Sequence, residues 1–294
     1  MRDDLSIKND DLFSRTLVTG SSGLIGSYVD FGIKTDRKIL DVTNLKQVFR
    51  VVHKYRPKTI LHLAAFIGVE QCEQNPERAY MVNSIGAYYV ALAAKEIGAK
   101  FVYVSSSVVF DGKKDVSYTE EDVPNPQNVY GKSKHIGELV VQSMLKDYLI
   151  IRSGRLYGGD PNSAKNLVAQ FIRQLSQEEI KAASDKMCNL TYAQDFVTEL
   201  KKLIAENKKG IYHIVNKDAC SPYDIAKEIV KTMHKKIEVV PVTEAFAADA
   251  LRGKFEVIGV KKLKSLRSWR KALREYLEVE ILMSKGNAAM RFKK

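Results

Sequence analysis

A glycine-spaced turn directly after the first predicted strand is the feature that most constrains the fold of this chain. Residues 15–19 predict a short strand, and Gly20, Gly23 and Gly26 follow it at three-residue spacing. Glycines placed in this way permit a tight turn and let backbone N–H groups approach a pyrophosphate at the start of a helix. The spacing is common by chance, so its position after a strand is what favours dinucleotide binding.

Composition and charge narrow the class of protein. The chain has 294 residues, of which 45% are hydrophobic and 28% charged, as in ordinary globular proteins. No apolar run approaches the roughly 20 residues of a membrane span, and the polar N-terminus lacks the apolar stretch of a signal peptide. We therefore expect a cytoplasmic protein that does not bind membranes.

The net charge of +12 raises the question of nucleic-acid binding. The densest basic stretch, residues 261–294, carries apolar side chains at helical spacing, namely Leu263, Leu266, Trp269, Leu273 and Leu277. This pattern favours a core-facing helix with a solvated basic side over a nucleic-acid-binding helix. A basic surface also suits an anionic small substrate.

The three cysteines, Cys72, Cys188 and Cys220, are far apart in the sequence. Their spacing indicates neither a disulfide framework nor a zinc site, so we expect reduced, buried thiols and no metal.

Strands and helices alternate over the first half of the chain. A helix at residues 45–55, a buried strand at residues 59–65 and a long helix at residues 80–97 are predicted. The interval after Gly26 is short for a βαβ unit, so either the first helix is very short or a strand is reduced or missing. Residues 190–197 are predicted to open a helix, and residues 210–216 to form a strand.

Two groups of polar side chains are candidates for catalysis. Ser105, Ser106 and Ser107 follow a buried strand directly, and ligands of open α/β sheets bind at the carboxyl ends of strands. Tyr130 and Lys134 are four residues apart at the predicted start of a helix, so both can lie on one helical face. A nearby lysine is expected to lower the pKa of the phenol from about 10. A surface tyrosine and lysine on an amphipathic helix would show the same spacing.

Several motifs in order resemble the extended short-chain dehydrogenase/reductase family. They are Thr19-Gly-Ser-Ser-Gly-Leu-Ile-Gly26, His62-Leu-Ala-Ala65 and Tyr130-Gly-Lys-Ser-Lys134, and the resemblance covers residues 14–277. Within that family the chain is most similar to the dTDP-4-dehydrorhamnose reductases, through segments such as Asp41-Val-Thr-Asn44 and Val109-Phe-Asp-Gly112. The resemblance implies an α/β fold with a Rossmann-type doubly wound parallel sheet and a smaller α/β substrate-binding domain, built mainly from the C-terminal part.

The resemblance also implies roles for individual residues. The catalytic residues would be Ser106, Tyr130 and Lys134. The cofactor would contact Gly20, Ser22, Gly23, Leu24, Ile25, Gly26, Asp41, Val42, Leu63, Ala64, Ala65, Asn83, Tyr130 and Lys134, with Asn83 bracing the active-site backbone. The substrate would contact Val69, Glu70, Ser107, Val108 and Arg155.

Three departures from the family pattern concern the substrate pocket. Ser106-Ser107-Val108 replaces a Ser/Thr-Asp-Tyr segment, and Arg155 stands where a tryptophan is frequent. Arg252-Gly-Lys-Phe-Glu256 represents an Arg-Pro-x-Asn-Ser segment only loosely. These differences leave open which nucleotide sugar the chain would take.

The implied function is reduction of a 4-keto group on a nucleotide-diphosphate sugar, in deoxysugar or surface-polysaccharide precursor synthesis. The cofactor would be NADP or NAD, with NADPH favoured, and the resemblance suggests a homodimer through helices near residues 84–97 and 130–145. An epimerase of the same family and a non-catalytic regulatory subunit on the same fold are the alternatives.

The chain is expected to divide into a cofactor-binding and a substrate-binding part. Residues 1–12 are predicted to be an extension, and residues 13–157 the cofactor-binding domain, to which segments near 190–216 return. Residues 158–189 and 217–294 would form the substrate-binding domain.

Overall fold

The computed structural model describes residues 11–162, 166–243 and 253–282. None of the helices within these ranges has both the length and the apolar character needed to cross a membrane.

The first half alternates strands and helices in the order β1 (Thr16–Thr19), α1 (Leu24–Tyr28), β2 (Ile33–Thr35), α2 (Leu45–Tyr55), β3 (Thr59–His62), α3 (Val69–Gln74), α4 (Pro76–Tyr80), α5 (Gly86–Ile97), β4 (Lys100–Val104), α6 (Val129–Met144) and β5 (Tyr148–Arg152). A π-helical turn, Met81–Ile85, joins α4 to α5, so these two helices form one continuous rod.

The second half contains more and shorter elements, in the order β6 (Arg155–Tyr157), α7 (Leu167–Arg173), β7 (Glu179–Ala183), β8 (Met187–Cys188), β9 (Leu190–Tyr192), α8 (Ala193–Ala205), β10 (Gly210–His213), α9 (Pro222–Thr232), β11 (Glu238–Val242), β12 (Phe255–Glu256) and α10 (Trp269–Glu275). The segment Tyr276–Leu282 continues α10 as a π-helix.

Six parallel strands form the central sheet, in the order β10-β5-β4-β3-β1-β2. The chain builds β1 and β2 outward on one side and then crosses back to place β3 on the other side of β1. The reversal of strand order between β1 and β3 opens a crevice at the carboxyl ends of the strands, where ligands bind in this fold. The predicted doubly wound parallel sheet is confirmed.

A second hydrophobic core lies outside the large sheet. Three short parallel pairs, β6–β9, β7–β11 and β8–β12, accompany it. Its largest members are fully or almost fully buried, and they are Tyr157, Phe171, Tyr192, Trp269, Leu273 and Tyr276. The smaller α/β unit predicted for the C-terminal part is therefore present, and β10 returns from that part of the chain to the large sheet.

Several local predictions need correction. Of the predicted N-terminal extension, Leu12 packs against the core behind the large sheet, so the described part of this segment belongs to the fold. Residues 190–192 form strand β9 rather than the start of a helix. Both explanations offered for the short interval after Gly26 hold, because α1 has five residues and β2 has three.

The apolar residues predicted to lie along one C-terminal helix, from Leu263 to Leu277, do not all belong to that helix. Ser268 caps α10 by accepting a hydrogen bond from the Lys271 N–H, so Leu263 and Leu266 precede the helix and pack against the core of the large sheet. The basic residues after position 282 lie outside the described residues.

A buried ion pair joins α6 to β5. The Arg152 guanidinium donates to both carboxylate oxygens of Glu138, from Nε to Oε1 at 2.9 Å and from Nη2 to Oε2 at 2.7 Å. Burial alone would raise the pKa of Glu138, but the hydrogen bonds and charge of Arg152 bring it down to about 2. The pair therefore remains charged, and it fixes α6 relative to the carboxyl edge of the sheet.

Glu138→Gln is expected to lower the unfolding free energy at neutral pH by about 3–5 kcal/mol, because it leaves the buried Arg152 charge uncompensated. The folded pKa of about 2 lies below the ordinary value of 4.5, so the contribution of Glu138 is present above pH 4.5 and lost as pH falls toward 2. The variant should lack this acid dependence, as measured by urea unfolding across that pH range.

Glu179→Gln is the matched control, since Glu179 forms an exposed pair with Lys181. We expect it to change stability by less than about 0.5 kcal/mol. Equal losses in the two variants would contradict the structural role of the buried pair.

Candidate active site

The glycine turn places backbone at the crevice between β1 and β3. Gly20 has φ 66°, and a Cβ at this position would lie 2.6 Å from the Ala64 nitrogen. A Cβ on Gly26 would lie 2.4 Å from the Ser21 carbonyl oxygen, so the turn closes tightly onto the start of α1. Only glycine fits at these two positions, and the result is a concave backbone surface that begins at the end of β1.

Small residues continue this surface after β3. Leu63, Ala64 and Ala65 are half-buried and follow His62 directly. The Leu63 N–H donates to the Thr19 carbonyl oxygen at 3.2 Å, and the Ala64 N–H donates to Thr19 Oγ1 at 3.3 Å. The ends of β1 and β3 are thereby held together, with little side-chain bulk between them.

Asn83 holds the loop that follows Ala65. Its Oδ1 accepts from the Phe66 N–H at 2.8 Å, and its Nδ2 donates to the Phe66 carbonyl oxygen at 2.9 Å. Nδ2 also donates to Ser133 Oγ, at 2.9 Å, on α6. The fully buried Asn83 therefore joins the loop after β3 to the helix that carries Tyr130 and Lys134.

The serines after β4 form a tight turn beside β5. The Ser107 N–H donates to the Ser153 carbonyl oxygen at 2.8 Å, and Ser106 is the N-terminal cap of a single helical turn, Ser107–Val109. The turn directs Ser106 toward α6, where its side chain lies near Tyr130 and lowers the pKa of the phenol.

The first turn of α6 packs directly on this serine turn. Asn128 caps the helix, its side chain accepting from the Gly131 N–H at 2.8 Å. A Cβ on Gly131 would lie 2.1 Å from the Val108 carbonyl oxygen, so the glycine between Tyr130 and Lys134 is required for this approach. On the other side, Glu73 of α3 accepts from the Val129 N–H at 2.7 Å.

Tyr130 differs from expectation in its pKa. Burial and the neighbouring Cys72 raise the pKa of the phenol to about 12, and the nearby Ser106 side chain opposes this shift. The predicted lowering by Lys134 is wrong for this structure, because the lysine ammonium lies over the Tyr103 ring instead. Tyr130 is thus a protonated phenol at neutral pH.

Lys134 is almost fully buried, with 2% of its surface exposed. Burial lowers the pKa of its ammonium from 10.5 to about 7, and the negative charge of Glu138 opposes this shift. The structure thus brings Ser106, Tyr130 and Lys134 to one place at the carboxyl edge of the sheet, beside the glycine turn.

The predicted adenine-binding residues lie beyond β2, and their side chains are engaged within the protein. The Asp41 carboxylate accepts from the Thr43 N–H and hydroxyl and from Arg37 Nε. Val42 is 4% exposed and packs under α5, where a Cβ on Gly86 would lie 2.8 Å from its Cγ2. Contact with a cofactor at this position would therefore be made mainly by backbone.

Asp36 is a carboxylate that the sequence pattern did not single out. It follows β2 directly, and its Oδ1 accepts from the Lys38 and Ile39 N–H groups at 2.9 and 3.1 Å. An acidic residue at the end of the second strand is the usual partner of a ribose in Rossmann folds. The sequence pattern did not identify Asp36 as a strand-end acid because the strand before it, β2, is only three residues long.

The predicted substrate residues have different exposures. Val69, Ser107 and Val108 are buried, and Glu70 is exposed on α3. Arg155 begins β6, two residues after Ser153, and its Nη2 lies 3.4 Å from Glu256 Oε2. Arg155 is therefore neutralised by a carboxylate. The sequence left open whether Arg155 would contact the substrate diphosphate or pair with a surface acid; its partner Glu256 is buried.

Fold and site together define a chain of the extended short-chain dehydrogenase/reductase class. The model of the RmlD substrate binding domain family matches residues 14–281, and the chain belongs to this family.

Two relatives and one solved structure illustrate the similarity. The spore coat polysaccharide biosynthesis protein SpsK of Bacillus subtilis is 32% identical over 279 residues, which cover 90% of this chain and 97% of SpsK. The dTDP-4-dehydrorhamnose reductase of Aggregatibacter actinomycetemcomitans is 32% identical over 250 residues, covering 79% of this chain and 84% of that enzyme. The crystal structure of dTDP-4-dehydrorhamnose reductase from Bacillus anthracis in complex with NADP matches with a TM-score of 0.85 and 34% identity, covering 90% and 98% of the two chains.

Asn83→Ala is expected to lower the unfolding free energy by about 1–3 kcal/mol, because the Phe66 N–H and carbonyl lose their partners. The apparent melting temperature should fall with it, as followed by circular dichroism. Asn75→Ala is the control, since the Asn75 side chain makes one exposed bond to the Gln71 carbonyl oxygen. If both variants melt alike, Asn83 does not brace the loop.

Proposed function

We propose that this protein reduces the 4-keto group of a nucleotide-diphosphate sugar with NADPH or NADH. The observation that carries the proposal is the grouping of Ser106, Tyr130 and Lys134 beside a backbone cradle that only glycine can form. Membership of the RmlD substrate binding domain family supports the substrate class. The spore coat polysaccharide protein among the relatives supports a place in surface-polysaccharide precursor synthesis.

The residues at the crevice fit a dinucleotide. The turn from Gly20 to Gly26 would receive the pyrophosphate, and the segment from Leu63 to Ala65 would lie against the rest of the cofactor. Asp36 and the backbone near Asp41 would meet the adenosine half. The NADP bound to the Bacillus anthracis relative supports NADPH as the cofactor. A reduced nicotinamide supplies a hydride when it is bound.

Tyr130 would donate a proton to the carbonyl oxygen as that oxygen gains negative charge. A phenol with a pKa of about 12 is fully protonated at neutral pH, which is the form that a reduction requires. Ser106 would donate a hydrogen bond to the same oxygen and stabilise its developing charge. Lys134 would hold the nicotinamide ribose.

We further propose that the two hydrophobic cores correspond to two functional parts. Residues 13–157, with the returning segments near 190–216, would bind the cofactor, and residues 158–189 and 217–294 would bind the substrate. The substrate would then contact Val69, Glu70, Ser107, Val108 and Arg155 between the two parts. The position of β10 in the large sheet supports this division.

Tyr130→Phe is expected to reduce turnover by about 10²–10⁴-fold, the usual contribution of a positioned general acid. Affinity for NADPH, measured by isothermal titration calorimetry, should stay close to that of the parent protein. Turnover would be followed as NADPH oxidation with a panel of 4-keto nucleotide sugars. Tyr55→Phe at the exposed end of α2 is the control and should behave as the parent protein.

Unchanged turnover in Tyr130→Phe would contradict the proposed acid. Interconversion of sugar epimers without net NADPH consumption would favour an epimerase on the same scaffold.

The protein is also proposed to be a homodimer. Met81, Ile85 and Tyr88 are 36–39% exposed along the rod from α4 to α5, and Ile136 and Leu139 are 39% and 51% exposed on α6. These helices pack against each other and correspond to those through which the resemblance suggests dimerisation. Apolar side chains exposed on neighbouring helices are consistent with an interface.

Leu139→Glu is expected to convert a dimer to a monomer, as measured by sedimentation velocity, because a charge would be buried without a partner in the interface. Val123→Glu is the control, since Val123 is 84% exposed in the loop before α6. A monomeric parent protein, or dissociation in both variants, would rule out this interface.

A further inference from the structure

Tyr103 is a buried aromatic residue on β4 that none of the roles above uses. It has no exposed surface, and its ring stacks on that of His62 with centroids 5.9 Å apart and planes 14° apart. Its hydroxyl lies 3.2 Å from the Asn83 carbonyl oxygen and 3.3 Å from the Lys134 carbonyl oxygen. Tyr103 therefore contacts the backbone of the turn from which the Lys134 side chain extends.

The close approach of Tyr103 to α6 depends on a glycine. A Cβ on Gly137 would lie 2.2 Å from the Tyr103 hydroxyl oxygen and 2.8 Å from the Asn83 carbonyl oxygen. The space at Gly137 thus admits the phenol between the helix and the sheet. This fit fixes the ring as well as its hydroxyl.

The ring of Tyr103 is the partner of the Lys134 ammonium. Lys134 Nζ lies 4.1 Å from the ring centroid, within the range of a cation–π interaction. No carboxylate in the described ranges forms a salt bridge with Lys134, and the carboxylate of Glu138 pairs with Arg152 instead. An aromatic face therefore takes the place that a carboxylate would occupy beside a buried lysine.

The other charged and titratable groups around Lys134 do not pair with its ammonium, so the Tyr103 ring is its main direct partner. On its own helix, Tyr130 is protonated, and the carboxylate of Glu138 is bound by Arg152 of β5. On β3, burial and the charge of Lys134 lower the pKa of His62 to about 3, so that imidazole is neutral at physiological pH.

We propose that Tyr103 is a positioning residue for Lys134, whose ammonium is held by the ring face and whose backbone is fixed by the hydroxyl. The inference rests on the proposed function in one respect, that Lys134 serves the cofactor and Tyr130. The contact between the Lys134 ammonium and the Tyr103 ring itself does not depend on a bound ligand.

Loss of the ring should favour the neutral amine of Lys134. The cost of burying the ammonium would then no longer be offset by the cation–π interaction with Tyr103. Tyr103→Leu is expected to lower the pKa of Lys134 below its value of about 7 in the parent protein. If the charged lysine is needed for turnover, the alkaline limb of the pH–rate profile moves to lower pH. Tyr103→Phe keeps the ring and should leave the pKa of Lys134 close to that of the parent protein.

The experiment measures the Lys134 pKa directly, by NMR titration of protein labelled at the lysine side chains, with the signal assigned through Lys134→Arg. Phe101→Leu is the matched control. Phe101 is a buried aromatic residue on the same strand, and its ring is tilted against that of His62 with centroids 5.6 Å apart. It also stacks on the Tyr103 ring at 6.5 Å, whereas the Lys134 ammonium lies over Tyr103. A lower pKa in Tyr103→Leu but not in Phe101→Leu supports the proposal, and equal values in the two variants overturn it.

A second comparison covers the case in which Tyr103→Leu does not fold. Replacing Tyr103 by pentafluorophenylalanine retains the ring shape but removes the negative π face, and should lower the Lys134 pKa relative to Tyr103→Phe. Equal pKa values for the two aromatic replacements would show that the ring acts only as packing. Because these titrations require neither cofactor nor substrate, their outcome is independent of whether the protein reduces a nucleotide sugar.

Discussion

The buried pair between Glu138 and Arg152 is the interaction on which the geometry of the site depends. It joins α6, which carries Tyr130 and Lys134, to β5 at the carboxyl edge of the sheet. A bidentate guanidinium–carboxylate contact specifies orientation as well as distance. Together with the Asn83 contacts to Ser133 and Phe66, it restrains α6 from two sides. Such restraint matters because catalytic groups are effective only when they are held in position.

Burial then determines the chemistry of the groups that this scaffold holds. The same desolvation raises the pKa of Tyr130 to about 12 and lowers that of Lys134 to about 7, because in each case it disfavours the charged form. The phenol is therefore a proton donor at neutral pH, whereas the lysine is close to its titration point. The Tyr103 ring and the negative charge of Glu138 support the ammonium, which forms no salt bridge among the described residues.

The smaller part of the chain is tied to the cofactor turn by tyrosines. The Tyr28 hydroxyl, at the end of α1, donates to Glu280 and accepts from the Gly159 N–H, at 2.6 and 2.7 Å. Tyr276 donates to the Gly159 carbonyl oxygen at 2.6 Å. The second core is thus anchored next to the crevice, and Arg155 and Glu256 form an ion pair there.

The sequence by itself determined the glycine turn and the helices that begin after Asn44 and near Tyr130, because these follow from local spacing, and its resemblance to a known family implied the parallel sheet. It also indicated the grouping of Ser106, Tyr130 and Lys134. Only the tertiary structure decided their pKa values, the partner of Arg155 and the contact of Lys134 with Tyr103. Those features arise from burial and from residues far apart in the chain, which no local pattern encodes.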